Sequence, residues 1–206
     1  MPSPRSALPF ALLLTATAAH AAPETELADL LKVLPGHYAG MAPKAFKPDG
    51  TMERLVHSFT PITAPQFGQT VFYYQISKEG RIQQAKIFVF DTSPARPANT
   101  MRAFILDTAT LTKPLSDDPA RIKALDPASL MTFPSTCDFT WTRTETGFEG
   151  KSGPDCAYPS RAFNQTITPS MTYRIHPDRF EMSETLTGED GRAIVSTGGL
   201  LTASRQ

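Results

Sequence analysis

The chain has 206 residues, of which 19% are charged, and its 20 basic side chains balance its 20 acidic ones. A near-neutral chain without a basic stripe is poorly suited to nucleic acid or to an anionic membrane surface as its main partner. The length fits one domain with a core of its own, and 19 prolines predict many turns and short strands.

The start of the chain has the pattern of a secretory signal peptide. Arg5 precedes an apolar run over residues 7–18, and the tripeptide AHA follows it. The run is too short to span a bilayer, which needs about 20 apolar residues. We therefore expect a signal peptide over 1–21, cleavage near Ala21, and a single domain over 22–206 without a membrane span. The predicted location is periplasmic or secreted.

Two short helices are predicted. The stretch PETELADLLKVLPG places four leucines at helical spacing, and Pro35-Gly36 ends that pattern. The second helix is predicted near 117–125, where Asp117 or Asp118 can cap its start and Asp126-Pro127 breaks it.

The rest of the chain alternates apolar and polar residues with period two. The predicted strands are RLVHSFT, TVFYYQI, QQAKIFVFD, TMRAFILD, CDFTWTRT, FEGKSG, SMTYRIH, RFEMSETLT and RAIVSTGGLLTAS. Turn signals such as SKEG, ETG, PDR and GEDG separate many of them at intervals of about ten residues. The pattern predicts a mainly β chain whose sheet closes into a barrel.

The two cysteines, Cys137 and Cys156, are predicted to form a disulfide. An even pair in an exported chain is typical of a structural cross-link. A zinc site needs further ligands, and the histidines are not at metal spacing, so no metal is predicted. A redox pair usually has the CxxC spacing, which is absent. Two buried reduced thiols are the alternative.

No catalytic motif stands out, because GxSxG, HExxH, Walker and strand-associated GxGxxG patterns are all missing. His57 lies on an apolar strand, where a histidine held in the core is the ordinary interpretation. Glu181 and Glu184 are three apart, so on one strand they face opposite sides and do not form a carboxylate pair.

Aromatic residues crowd one hairpin and recur on later strands. Lys86, Arg102, Arg143 and Arg174 lie among them and can line a pocket, since small barrels either fill their interior or hold one small ligand. The equally weighted alternative is that the aromatic rings are core and the basic groups extend outward to solvent.

The order of motifs resembles the CpcT/CpeT family of phycobiliprotein chromophore lyases. The matching segments are LLKVLPGHYAG, FGQTVFYYQISKEG, QAKIFVFD, CDFTWTRTETGFEGKSGPDC and MTYRIHPDRFEMSETLTGEDGRAIVSTGG. They span about residues 27–199. The resemblance implies an antiparallel, lipocalin-like barrel or calyx that binds a linear tetrapyrrole and assists its attachment to a cysteine of a partner protein.

The resemblance also implies site residues. The ligand-binding positions are Tyr73, Tyr74, Gln75, Lys86, Arg102, Trp141, Tyr173 and Arg174. Glu184 is the candidate acid for proton transfer. Where bilin-binding members carry an arginine-rich strand, this chain reads QAKIFVF, with Lys86 alone.

The predicted function is that of an exported, CpcT/CpeT-like, chromophore-lyase-like barrel. It binds a small apolar or tetrapyrrole-like molecule and has no other cofactor. The sequence leaves open whether the protein catalyses bilin attachment and whether it forms a homodimer. The alternative is an envelope interaction or structural protein without ligand or lyase activity.

Overall fold

The computed structural model describes residues 23–43, 51–91 and 99–206, so the predicted signal peptide lies outside the described residues. The two α-helices are α1 (Pro23–Val33) and α2 (Pro119–Ala124). The strands are β1 (Gly36–Pro43), β2 (Met52–Ile62), β3 (Thr70–Lys78), β4 (Arg81–Asp91), β5 (Thr100–Ile105), β6 (Met131–Thr132), β7 (Phe139–Arg143), β8 (Phe148–Ser152), β9 (Tyr158–Ser160), β10 (Gln165–Ile175), β11 (Arg179–Thr187), β12 (Ala193–Ser196) and β13 (Leu201–Arg205).

Ten of these strands close into an antiparallel barrel. Their order is β11-β13-β1-β2-β3-β4-β5-β7-β8-β10, and β10 pairs again with β11. The short strands β6, β9 and β12 pair outside this ring with β5, β10 and β11. This arrangement confirms the predicted mainly β, lipocalin-like barrel.

One end of the barrel is covered by α1. Its apolar residues Leu27 and Leu30, and Leu34 directly after the helix, pack into the same core as the inward side chains of the strands. The chain then enters β1 at Gly36, beside Phe59 of β2. We call this the closed end. The β3–β4 turn at residues 79–80 lies at the other end, which we call the hairpin end.

A second apolar cluster lies outside the barrel. The segment 106–130 covers the outer faces of β3 and β4, so that Leu115 and Ile122 pack with Tyr73, Ile87 and Val89. Within this segment α2 begins after Asp118, whose carboxylate accepts from the Arg121 amide. The helix predicted near 117–125 is therefore present, with Asp118 as its cap.

The structure adds strands that the sequence analysis did not predict. Residues 36–43, directly after the end of the first helical pattern, form β1. The final predicted strand is two strands, β12 and β13. Gly198 separates them at a φ of 71°, a left-handed conformation that glycine adopts without strain.

The disulfide between Cys137 and Cys156 is present. The two residues flank the β7–β8 hairpin, and both are buried. The cross-link therefore ties the two ends of one hairpin together. Within the described part of the chain, no helix is long and apolar enough to cross a membrane.

Candidate functional site

The barrel interior collects five of the predicted site residues. Tyr74, Trp141 and Tyr173 belong to the interior core. Lys86 is the cross-strand partner of Tyr74 and shares its inward face. Glu184 pairs with the inward Met171 and so also faces inward.

The other four predicted binding residues lie on the outer face. Tyr73 is covered by the outer layer and donates to Gln75 Oε1 at 2.9 Å. Arg102 Nε lies 3.7 Å from Asp138 Oδ2, and Arg174 Nε donates to Glu149 Oε2 at 2.8 Å.

These four residues therefore do not line the interior, as the binding role derived from the resemblance would require. The reason is the strand geometry: successive side chains point to opposite faces, so Tyr73, Tyr74 and Gln75 cannot share one pocket.

Aromatic rings fill the interior near the closed end. Phe59 lies 4.7 Å from Tyr74 and 5.2 Å from Phe180, and Tyr74 stacks on Phe88 at 5.0 Å, measured between ring centroids. Tyr38 joins them, 5.9 Å from Phe180. Such ring pairs add to the stability gained by burying their area. They form what we call the aromatic floor: Tyr38, Phe59, Tyr74, Phe88 and Phe180.

His57 lies beside this floor as a buried, hydrogen-bonded histidine. It is 5% exposed, and its Nδ1 lies 2.8 Å from the Tyr74 hydroxyl. Burial lowers the pKa of its imidazole to about 4 because the charged form is poorly solvated there. The side chain therefore stays neutral near pH 7, as expected for a histidine held in the core.

Lys86 is the buried cation of the interior. On β4 it is the inward-facing residue next to Phe88 on the side of the hairpin end, and it is 7% exposed. Burial lowers the pKa of its amine, and the nearby negative charge of Glu184 acts in the opposite direction. Among the described residues, no hydrogen bond or direct ion pair reaches its Nζ.

Glu184 is the acidic group of the same interior. Its backbone amide is held by Thr197 Oγ1 at 3.2 Å, which positions this part of β11. Within residues 23–43, 51–91 and 99–206, its carboxylate has no hydrogen-bond or ion-pair partner. Glu181, three residues earlier, faces outward and accepts from Arg179 at 2.8 Å, as the period-two pattern predicts.

The charge of Glu184 acts on the phenols of three tyrosines. Burial raises the pKa of Tyr74, Tyr158 and Tyr173, and the charge of Glu184 raises each further. Tyr158 was missed in the sequence analysis because its strand, β9, has only three residues. The phenols therefore remain neutral at physiological pH and can donate hydrogen bonds.

Trp141 forms part of the interior wall. Its ring packs flat against Gly150, where an added Cβ would come within 2.6 Å of Trp141 Cε2. Its indole Nε1–H is buried and has no acceptor among the described residues.

The described interior thus offers one cation, one carboxylate, one free indole donor and several phenols on apolar walls. That set suits an apolar molecule with a carboxylate and N–H groups. The described part of the chain has no cluster of potential metal ligands.

Comparison with known proteins finds a likeness in structure. No family model matches the sequence, and no curated protein matches it. The CRL protein of Arabidopsis matches with a TM-score of 0.62 and 10% identity, over 90% of this chain and 100% of that one. The T-type phycobiliprotein lyase CpeT from Prochlorococcus phage P-HM1 matches with a TM-score of 0.42 and 11% identity, over 88% and 96% of the two chains.

The first match shows a shared fold and no more, because the identity is low, and no argument rests on the second. The chain thus has the predicted lipocalin-like barrel and shares its fold with the CRL protein of Arabidopsis.

Proposed function

We propose that the protein is an exported small-molecule-binding barrel of the chromophore-lyase-like type, whose ligand is an apolar molecule with a carboxylate, such as a linear tetrapyrrole. The observation that carries this proposal is the unpaired Lys86 inside the barrel, 7% exposed and opposite an unpaired carboxylate at Glu184. Burying a charge without a partner is costly, so such a group is best explained by a ligand that pairs with it.

Each interior group has a role in this proposal. The Lys86 ammonium binds a ligand carboxylate, such as a tetrapyrrole propionate. The Glu184 carboxylate accepts from pyrrole or lactam N–H groups. The phenols of Tyr158 and Tyr173 donate to lactam oxygens, and Trp141 supplies both an apolar wall and an N–H donor.

Export is part of the proposal. The disulfide between Cys137 and Cys156 favours an oxidising compartment, which agrees with the signal-peptide pattern of the first 21 residues.

If the protein also transfers its ligand, the accepting cysteine belongs to a partner, because both cysteines of this chain are in the disulfide. Glu184 would then act as the acid for proton transfer.

A second candidate function is that of an envelope structural protein with a filled barrel. The observation in its favour is the aromatic floor, whose rings pack against one another inside the barrel near the closed end. A filled interior needs no ligand, since small barrels are often packed by their own side chains.

A visible absorption titration of the mature protein with biliverdin and phycocyanobilin separates the two candidates. We expect a saturable spectral change, and Lys86→Met should weaken binding by about tenfold, which is the loss of one charge-assisted hydrogen bond. The matched control is Arg174→Gln, which removes a positive charge from the outer face and should leave the affinity unchanged. No spectral change with folded, disulfide-intact protein would support the structural protein instead.

A further inference from the structure

Lys86 presents a primary amine inside an apolar barrel without a fixed partner. Its neighbours across the strand pairs are Tyr74 on β3 and Ile105 on β5, and Phe88 is the next inward residue of β4. No described carboxylate lies within ion-pair distance of Nζ. The packing of the barrel therefore gives no reason for a lysine, rather than a methionine or leucine, at this position.

Glu184 faces this amine across the barrel. The strands β4 and β11 are five positions apart in the ring of ten, so their inward side chains approach from opposite walls. The two groups do not form a direct ion pair, yet the carboxylate is near enough to raise the pKa of the amine. The barrel interior therefore presents an amine and a carboxyl group on opposite walls.

Burial gives this amine a chemical property that the exposed lysines lack. Because desolvation lowers the pKa of Lys86, a larger share of its side chain is the neutral, nucleophilic amine near pH 7. Lys123 on α2 is exposed and serves as the natural comparison.

We propose that Lys86 forms a Schiff base with an apolar aldehyde or ketone bound in the barrel, and that Glu184 moves the protons of this reaction. This inference rests on the proposed function in one respect, namely that the interior beyond the aromatic floor admits a small molecule. It goes further by naming the carbonyl group as the reactive feature of the ligand.

The reaction balances without an oxidant or reductant. Nζ attacks the carbonyl carbon, and one N–H proton passes through Glu184 to the carbonyl oxygen, which gives a carbinolamine. The second N–H proton then passes through Glu184 to the hydroxyl as the C–O bond breaks, so that water leaves and Glu184 ends as the carboxylate it was at the start. Amine and carbonyl become imine and water.

Glu184 is the carboxyl that suits this role among the described residues facing Lys86. The phenols of Tyr74, Tyr158 and Tyr173 are all affected by the charge of Glu184, and burial raises their pKa values, so they stay protonated near neutral pH. The inward neighbours on β5 are Ala103 and Ile105, which do not titrate.

The test is reductive trapping of the intact mature protein with trans-cinnamaldehyde and sodium cyanoborohydride at pH 7, followed by peptide mass spectrometry. We expect Lys86 to take up label at least about ten times faster than Lys123, since the neutral amine is the nucleophile. Raising the pH to 9 should accelerate labelling of Lys123 much more than that of Lys86. Glu184→Gln should slow labelling of Lys86 by about tenfold or more, while Lys123→Met should leave it unchanged.

Label at exposed lysines with none at Lys86 would overturn the inference, as would equal rates at Lys86 and Lys123. The outcome is independent of the bilin titration. Bilin binding without label at Lys86 would leave the proposed function standing and remove the Schiff base. Label at Lys86 without bilin binding would support the reactive amine and contradict the proposal that the ligand is a tetrapyrrole.

Discussion

Arg205, next to the last residue, holds Tyr38 and the end of α1 at the closed end of the barrel. Its guanidinium lies over the Tyr38 ring, 4.9 Å from the centroid, and its Nη2 donates to the Tyr38 hydroxyl at 2.6 Å. It also donates to the carbonyls of Val33 at 2.6 Å and Pro35 at 2.7 Å. A cation at the C-terminal end of a helix binds free carbonyls and complements the helix dipole. The two ends of the described chain are thereby joined.

Replacing Arg205 by methionine should lower the free energy of unfolding by about 3 kcal/mol, because three charge-assisted hydrogen bonds are lost within a partly buried site. Arg205→Lys should recover only part of this, since an ammonium cannot reproduce the planar fork. Urea unfolding measures both. The control is Arg192→Met, whose side chain is 88% exposed. An Arg205→Met protein as stable as this control would contradict the role of Arg205.

His57 should make the protein sensitive to acid. Its pKa is about 4 in the folded state and about 6.5 when unfolded, so the unfolded chain binds more protons between these values. Its contribution to stability is therefore complete above pH 6.5 and falls as the pH drops toward 4, by up to about 3 kcal/mol.

Urea unfolding at several pH values between 7 and 4 measures this effect. His57→Gln should flatten the pH dependence in that window, while His37→Gln, on the exposed surface of β1, should leave it in place. Identical pH profiles for the wild type and His57→Gln would show that another group causes the acid sensitivity.

Reducing the disulfide should lower the free energy of unfolding by about 3 kcal/mol, the value for a closed loop of roughly this length. The cross-link joins residues 19 apart in sequence. Unfolding with and without reductant measures the difference, and the double replacement Cys137→Ala/Cys156→Ala should reproduce it. In the unreduced folded protein, alkylation should label no thiol; two readily labelled thiols would be incompatible with the cross-link.

Lys86→Met should make the protein more stable, by about 1 kcal/mol, because it replaces a buried cation with an apolar side chain of similar length. The same change should weaken ligand binding, which is the trade-off expected where a residue serves function rather than folding. Lys123→Met, on the exposed face of α2, should change stability by less than about 0.5 kcal/mol. A large loss of stability in Lys86→Met would mean that Lys86 has a structural partner.

Much of the fold could be predicted from local patterns. The alternation of apolar residues and the regular turn signals predicted a closed antiparallel sheet. Asp117 or Asp118 was predicted to cap the second helix, and Asp118 does so. The failures were local as well. The strand β1 contains Gly36, Gly40 and Pro43, which disfavour strands in isolation, and it forms because β2 and β13 pair with it on both sides.

The candidate site was predicted only in part. The residue types were chosen from the resemblance, and the structure brings Lys86, Tyr74 and Glu184 together while it places Arg102 and Arg174 outside. Glu184 and Lys86 are 98 positions apart in the chain. They face each other because the sheet closes into a barrel, and no local sequence pattern predicts which residues that closure brings opposite each other.

The sequence by itself determined most of the long strands, the turns between them and the pairing of the two cysteines, because alternation, turn residues and cysteine count are local or compositional properties. Only the tertiary structure decided which strand faces point inward. Both faces of VFYYQI and KIFVF are apolar, since one face points into the barrel core and the other is covered by the segment 106–130. A strand with two apolar faces does not indicate which face points inward. The closure of the barrel decides this, and it places Tyr74 inside and Tyr73 outside.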